Sequence, residues 1–375
     1  MDFTEEQVMI RDMVREFTKK EVEPRDAWMD VSGFDHDLHK KMSETGLMGI
    51  HLPEEYGGGG GDAVTSAIVI HEIAKGSASE ALFLDAHWLA ADCILHHGTE
   101  EQKKKYLPMA AAGQIFAFGL TEACAGSDVA GIKSIAVAED DGWVLNGGKA
   151  WITNSGIADV YVILAKTEPD AGARGVSAFI IEANTPGLIV GKHENKMGMR
   201  GTSTTELSFD NLRLPKDALL GNLGNGFKIA MIALDGARIS IGAIATGLAE
   251  HAMELARKYA NERHTFGRPI GKHQGVMFKF ADMSAGIRAM TLMTYNAAQI
   301  KAAGKRHTLE AAEVKLFSGE TCFNICNECL QVFGGYGYSK EYHVERFVRD
   351  AKLLQIGEGT SEILRMLIGS TVLAQ

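Results

Sequence analysis

The chain has no run of Lys or Arg able to follow a phosphate backbone, and its 375 residues carry a net charge of −10. A nucleic-acid partner is therefore not expected. No stretch of about 18 apolar residues is free of charge, so no membrane insertion is expected. The opening "MDFTEEQVMIRDMVREFTKKEVEP" lacks both the apolar core of a signal peptide and the Arg- and Ser-rich character of a transit sequence. It reads as an acidic, amphipathic helix, which points to the cytoplasm, or to the mitochondrial matrix for a chain already processed. The five cysteines (93, 124, 322, 326 and 329) do not make the framework of a secreted disulfide domain. Three of them fall in "CFNICNEC", a spacing that could hold an iron–sulfur cluster. Yet Val314, Phe317, Cys322, Ile325, Cys326 and Cys329 recur at helical spacing, and nothing there breaks the helix for a cluster loop. The expectation is a buried helix face and no metal.

The composition is ordinary for a globular protein, 46% hydrophobic and 23% charged, and the length suits two or three packed units. Periodicity divides the chain in three: an N-terminal all-α domain over 1–117, a middle antiparallel β-domain over 118–225 and a C-terminal, four-helix-bundle-like α domain over 226–375. The first part reads as "EEQVMIRDMVREFTKKEV", "DHDLHKKMSETG", "DAVTSAIVIHEIAKG" and "SEALFLDAHWLAADCILHHG". Its five consecutive glycines, 57 to 61, have no Lys-Ser/Thr after them and no clear strand before them. They are expected to form a flexible connection rather than a phosphate cradle. The middle part alternates β-branched and aromatic residues with turn signals, and Asn-Gly-Gly in "DGWVLNGGKAWITN" predicts a hairpin. The last part holds three long apolar helices joined by short loops, which predicts an antiparallel bundle.

Near the C-terminus, "KLLQIGEGTSEILR" sets Glu358 between Gly357 and Gly359, where one helical pattern ends and another begins. Thr360 is a natural N-cap. The glycines permit positive φ and a close approach by another molecule. A turn with a solvated Glu358 is the plain reading; a base in a cofactor site is the other.

Five motifs bear on that choice: "LTEACAGSDVAG" (120–131), "KAWITN" (149–154), "RHTFGRPI" (263–270), "QVFGGYGY" (331–338) and "IGEGTSEI" (356–363). In these, in order and collinear from "FTEEQ" to the end, the sequence resembles the acyl-CoA dehydrogenase family of flavoproteins. The resemblance implies FAD, an acyl-CoA thioester substrate, an electron-transfer flavoprotein as acceptor and a homotetramer. It implies Glu358 as the base for the α-proton, with flavin N5 taking the β-hydride. A flavin ribityl hydroxyl and the Glu358 main-chain N–H would steady the enolate oxygen. It also gives Thr121 to the flavin ring, Ser127 to a phosphate and Trp151 and Thr153 to the isoalloxazine wall. Phe118, Leu120, Gly126, Ile152, Thr360 and Glu362 are implied as further FAD contacts. Arg263, Phe266, Gln274, Gln331, Gly334 and Gly335 would hold the FAD of a neighbouring subunit. Leu234, Asp235, Arg238, Gly357 and Gly359, with Ser127, would meet the substrate. Some relatives carry the base beside Arg238, but residue 237 is Ala.

Read from the residues alone, Trp151 fits a core position and Asp235–Arg238 fits a solvated i, i+3 pair, although an Arg sits poorly in "ARISIGAIATG". Burial should raise the pKa of Glu358, while Arg238 and the following helix N-terminus should lower it, and the sequence does not rank them. Two features bear on the acyl group. Straight-chain members of the family commonly have Tyr before the catalytic Glu; Gly357 here suggests room for a branched or cyclic group, unless a neighbouring side chain fills it. Asp85, Trp88 and Asp92 share about one helix face, so Asp85 is a second acid–base group facing a carbon remote from the thioester, a contact for a polar acyl substituent, or a residue that points to solvent or caps a neighbouring element. Glu80 stands near the position where glutaryl-CoA relatives use Arg, so a dicarboxylic substrate is not expected. A straight-chain dehydrogenase, an oxygen-using oxidase of the same superfamily and a non-enzymatic flavin- or CoA-binding module are the alternatives.

Overall fold

A computed structural model describes residues 3–374. Thr4 opens α1 (Glu5–Phe17) with a reciprocal capping box to Gln7, and a π-helical turn at Thr18–Val22 carries the chain into α2 (Glu23–Ser32). Asp35 caps α3 (His36–Glu44), and α4 (Ala63–Ala74), α5 (Ala78–His97) and α6 (Glu100–Ala111) follow. Almost every residue of α5 is buried, as expected for a helix that is apolar nearly all round. The middle of the chain forms β1 (Phe116–Gly119), β2 (Ile135–Glu139), β3 (Gly142–Thr153), β4 (Val160–Lys166), β5 (Val176–Glu182), β6 (Leu188–His193), β7 (Thr204–Pro215) and β8 (Leu219–Leu220). The strand order is β6-β7-β3-β2-β4-β5-β8. The sheet is antiparallel as expected, except that β1 and the start of β2 run parallel to β4. The helices resume with α7 (Gly226–Glu262), α8 (Gln274–Ala302), α9 (Thr308–Phe333), α10 (Val344–Leu353) and α11 (Ser361–Leu373). The N-terminal helices α4 and α5 pack on α7, which also packs on α8 and α9. The long apolar α7 is thus a core helix.

Two local expectations are corrected. Asn146-Gly147-Gly148 does not turn the chain: β3 runs straight through it with a bulge, and the hairpin lies at Asp140–Asp141, between β2 and β3. Gly147 has φ +134°, and a Cβ there would come within 2.6 Å of the Ser134 hydroxyl, which bonds both the N–H and the carbonyl of Gly148. The Asn-Gly-Gly signal therefore marks a close backbone contact. The five glycines are not a flexible connection either. They fold back on residues 49–53 through main-chain hydrogen bonds, and a Cβ on Gly58 would lie 2.1 Å from the Leu52 carbonyl oxygen. Cys322, Cys326 and Cys329 are buried along α9, with Cys329 against the Met283 sulfur.

Candidate active site

Helix α10 ends at Leu353, whose carbonyl accepts from Gly357 N–H at 2.9 Å, and Ser361 N–H reaches back to the Gln355 carbonyl at 3.1 Å. Thr360 caps α11 as expected, its hydroxyl accepting from Ile363 N–H. Between these ties stands the glycine-bracketed turn. The residue bent into the left-handed region is Glu358 itself, at φ +54°, followed by Gly359 at +100°; Gly357 is not in that region. Left-handed backbone costs a non-glycine residue about 1–2 kcal/mol, a strain tolerated where the surroundings enforce it. The surroundings here are two cations. Arg238 Nε donates to the Glu358 carbonyl at 3.2 Å, and the Lys315 ammonium donates to the Gly359 carbonyl. Among the described residues nothing accepts from the Glu358 N–H.

The Glu358 carboxylate has one oxygen shielded from solvent with no partner. Burial raises its pKa, and the charges of Arg238 and Lys315 pull it down without prevailing. The balance left open by the sequence is thus decided in favour of burial.

Arg238 is only 6% exposed, so a solvated Asp235–Arg238 pair is excluded. Its Nη1 donates to Asp235 at 2.7 Å, and the other Asp235 oxygen accepts from the Thr308 hydroxyl at 2.6 Å. Asp235 therefore orients Arg238 with both oxygens engaged. Leu234 is buried one residue earlier in α7. On α5, Asp85 is buried, which excludes the solvent-facing reading. It lies beside Ser240, and burial and the charge of Glu358 together push its pKa well up. Its expected companions turn elsewhere: Asp92 pairs with His51 at 3.2 Å and with Lys301 at 3.8 Å, while the Trp88 indole N–H donates to the Met48 carbonyl.

A second group forms where β1 meets β3. Phe118 is half-buried and Leu120 buried, and Thr121 follows them; its carbonyl accepts from Ala150 N–H at 2.9 Å, next to Trp151. Buried Lys149 holds this loop by donating to the Leu120 carbonyl and pairing with Glu122 at 2.6 Å. Gly126 and Ser127 are exposed on the loop. Trp151 is no core residue: it has φ +61° and is 60% exposed, between buried Ala150 and Ile152, with Thr153 half-buried beyond. Glu362 is exposed in the first turn of α11.

A third group lies at the far end of the bundle. Arg263, Gly334 and Gly335 line a cleft of about 500 Å³ with Tyr259, Phe333 and Tyr336, and none of its walls comes from the sheet. Phe266 stands nearby at φ +50° and 96% exposed; Gln274 and Gln331 are also exposed. The chain does not by itself close this group around the other two.

Sequence reasoning missed Lys315, Thr308, Ser240 and Lys149. Only Lys315 and Lys149 left a signal: each is a lone cation among apolar or small residues.

Comparison with known proteins covers nearly the whole chain. Three family models match: acyl-CoA dehydrogenase N-terminal domain at residues 4–114, middle domain at 117–212 and C-terminal domain at 224–373. The short-chain-specific acyl-CoA dehydrogenase of Clostridium acetobutylicum is 45% identical, over 99% of this chain and 100% of that one. Butyryl-CoA dehydrogenase from Megasphaera elsdenii has a matching structure at TM-score 0.97 and 40% identity, with 100% of both chains covered. A chain from work on the electron transferring flavoprotein of Acidaminococcus fermentans and flavin-based electron bifurcation matches at TM-score 0.98 and 43% identity, again over 100% of both.

Proposed function

The chain belongs to the acyl-CoA dehydrogenase family, and we propose that it takes hydrogen from the α and β carbons of a short acyl-CoA thioester with Glu358 as the base. The observation that carries this reading is the Glu358 turn: a carboxylate with one shielded, unpartnered oxygen, held in left-handed backbone by contacts to its own and the next carbonyl. A raised pKa brings a carboxylate closer to the strength a base needs for a weakly acidic α-proton. The unengaged Glu358 N–H is available to donate to the thioester oxygen as negative charge develops there. Arg238, fixed by Asp235, steadies the turn.

The family depends on FAD, and the residues present suit it. Trp151 offers an exposed aromatic face one residue from Ala150, which ties the strand to the Thr121 carbonyl, and the Arg263 cleft combines a cation, aromatic rings and open glycines. When bound, FAD supplies the two-electron acceptor for the β-hydrogen. We assign the ring-side contacts to Phe118, Leu120, Thr121, Gly126, Ser127, Trp151, Ile152 and Thr153, with Thr360 and Glu362. Arg263, Phe266, Gln274, Gln331, Gly334 and Gly335 would serve a neighbouring subunit in a homotetramer. Their separation from the sheet residues within one chain supports that division. An electron-transferring flavoprotein is the acceptor this reading names, supported by the match to the Acidaminococcus work.

The relatives named for short-chain and butyryl substrates support a short acyl group and give no support to a branched or cyclic one. At Gly357, a Cβ would stand 3.7 Å from the Leu353 side chain, so Leu353 already borders the space an absent Tyr would leave. One observation still favours the branched or cyclic reading as second choice. Asp85 is a buried acid close enough to feel the charge of Glu358, and a plain straight chain gives it nothing to do.

Anaerobic bleaching of the flavin band by butyryl-, 2-methylbutyryl- and cyclohexanecarboxyl-CoA tests both. Glu358→Gln is expected to slow bleaching by about 10²–10⁴-fold or more while keeping FAD and thioester binding. Bleaching at the wild-type rate by Glu358→Gln would overturn the base. Preference for butyryl-CoA supports the first substrate reading, and preference for the cyclic ester overturns it in favour of the second.

A further inference from the structure

Two buried cations meet the Glu358 turn at consecutive carbonyls, and only Arg238 is accounted for by the motifs above. Lys315 on α9 is fully buried among Ala311, Ala312, Val314, Ser318 and Gly319. Among the described residues no carboxylate lies within salt-bridge distance of it. Its ammonium instead donates to the Gly359 carbonyl. One turn further along α9, a Cβ on Gly319 would lie 2.4 Å from the Leu354 carbonyl oxygen, so the helix backbone presses on the start of the same segment. Helix α9 thus touches both ends of the stretch from Leu354 to Gly359, with bare backbone at one end and a charged donor at the other.

We propose that Lys315 is a positioning residue for the reaction: by fixing the Gly359 carbonyl it keeps Glu358 in its left-handed conformation, and its charge steadies the ionised base. This rests on the reading of Glu358 as the base. Burying a Lys is costly, and a neutral donor would satisfy one carbonyl at lower cost, so the charge needs a purpose. The carboxylate beside it supplies one. Burial lowers the Lys315 pKa to about 8, and Glu358 heads the charges that keep it protonated; Glu362 and Glu320 add to it and Arg238 opposes. In turn Lys315 and Arg238 hold down the pKa of Glu358, while Asp85 faces it from α5.

The test compares Lys315→Met, Lys315→Arg and Glu358→Gln as FAD-loaded enzymes. Readouts are butyryl-CoA binding at equilibrium and the pH dependence of anaerobic flavin bleaching. Lys315→Met is expected to bind butyryl-CoA within about threefold of wild type, because the residue lies under the turn. Its bleaching rate should fall about 10²-fold, the scale of a small misplacement of a reacting group. Its acid limb should move to higher pH, because a cation that lowers the Glu358 pKa is gone. Lys315→Arg, which keeps charge and donors, should leave the acid limb near its wild-type position. Should Lys315→Met fail to fold, Lys315→Gln keeps an N–H donor and loses only the charge, and the same upward shift is expected of it. A neutral variant with an unmoved acid limb and a rate within twofold of wild type overturns the proposal. If Glu358→Gln also bleaches normally, the base assignment falls with it; if Glu358→Gln is dead, only the role of Lys315 falls.

Discussion

At the scale of single residues, the two glycines around Glu358 are not equivalent. Gly359 needs its φ of +100°, whereas Gly357 has an ordinary backbone, and a Cβ there would make only ordinary contacts with Leu353. Gly357→Ala should therefore change stability by less than about 1 kcal/mol, and Gly359→Ala should cost about 1–2 kcal/mol, both measured by urea unfolding of the FAD-loaded enzyme. Equal costs would mean that the turn is not strained where φ says it is. The sequence drew attention to the right residue for a partly wrong reason: the glycines suggested freedom on both sides, while the strain sits on Glu358. That strain comes from Arg238 on α7 and Lys315 on α9, each more than 40 residues away in sequence.

At the scale of elements, β3 shows how a turn signal can be used for something else. Asn-Gly-Gly lies inside the strand because Ser134, just before β2, packs directly against Gly147. Gly147→Ala should cost about 2–4 kcal/mol, since its Cβ would meet Ser134 atoms at 2.6–2.7 Å and its φ of +134° disfavours a side chain. Thermal unfolding followed by circular dichroism would check this; an unchanged midpoint would mean that the bulge can flatten. The same close packing explains Gly58, Gly59 and Gly61 in the glycine run, where Ile50 and Leu52 occupy the space, while Gly57 and Gly60 take positive φ. Local composition predicts a loop in both cases. What the loop presses against is not written locally.

At the scale of the whole molecule, packing α5 between the N-terminal helices and α7 buries a second carboxyl besides Asp85. Both Glu80 oxygens are buried without partners, and burial, aided by Asp35 and Asp26, raises its pKa to about 8. A carboxyl raised on folding is protonated in the folded chain where the unfolded chain has already ionised. Stability is therefore lost as pH rises from the ordinary Glu range towards 8. Glu80→Gln should stabilise the enzyme on the order of 1–4 kcal/mol at pH 8 and far less at pH 5, read from urea midpoints at the two pH values. An equal effect at both would show that Glu80 is ionised in the folded state. The order of helices, strands and helices was legible from the sequence, because hydrophobic period and turn residues are local properties. The family was legible too, since the Glu358 motif and the others fall in one collinear order. What only the tertiary structure decided is the electrostatics: that burial outweighs Arg238 at Glu358, that Asp85 is buried and feels the charge of Glu358 while Asp92 pairs with His51, and that the Lys315 ammonium reaches the turn. Each depends on which distant surfaces exclude water from a charge, and that is a property of packing among elements rather than of any stretch of chain.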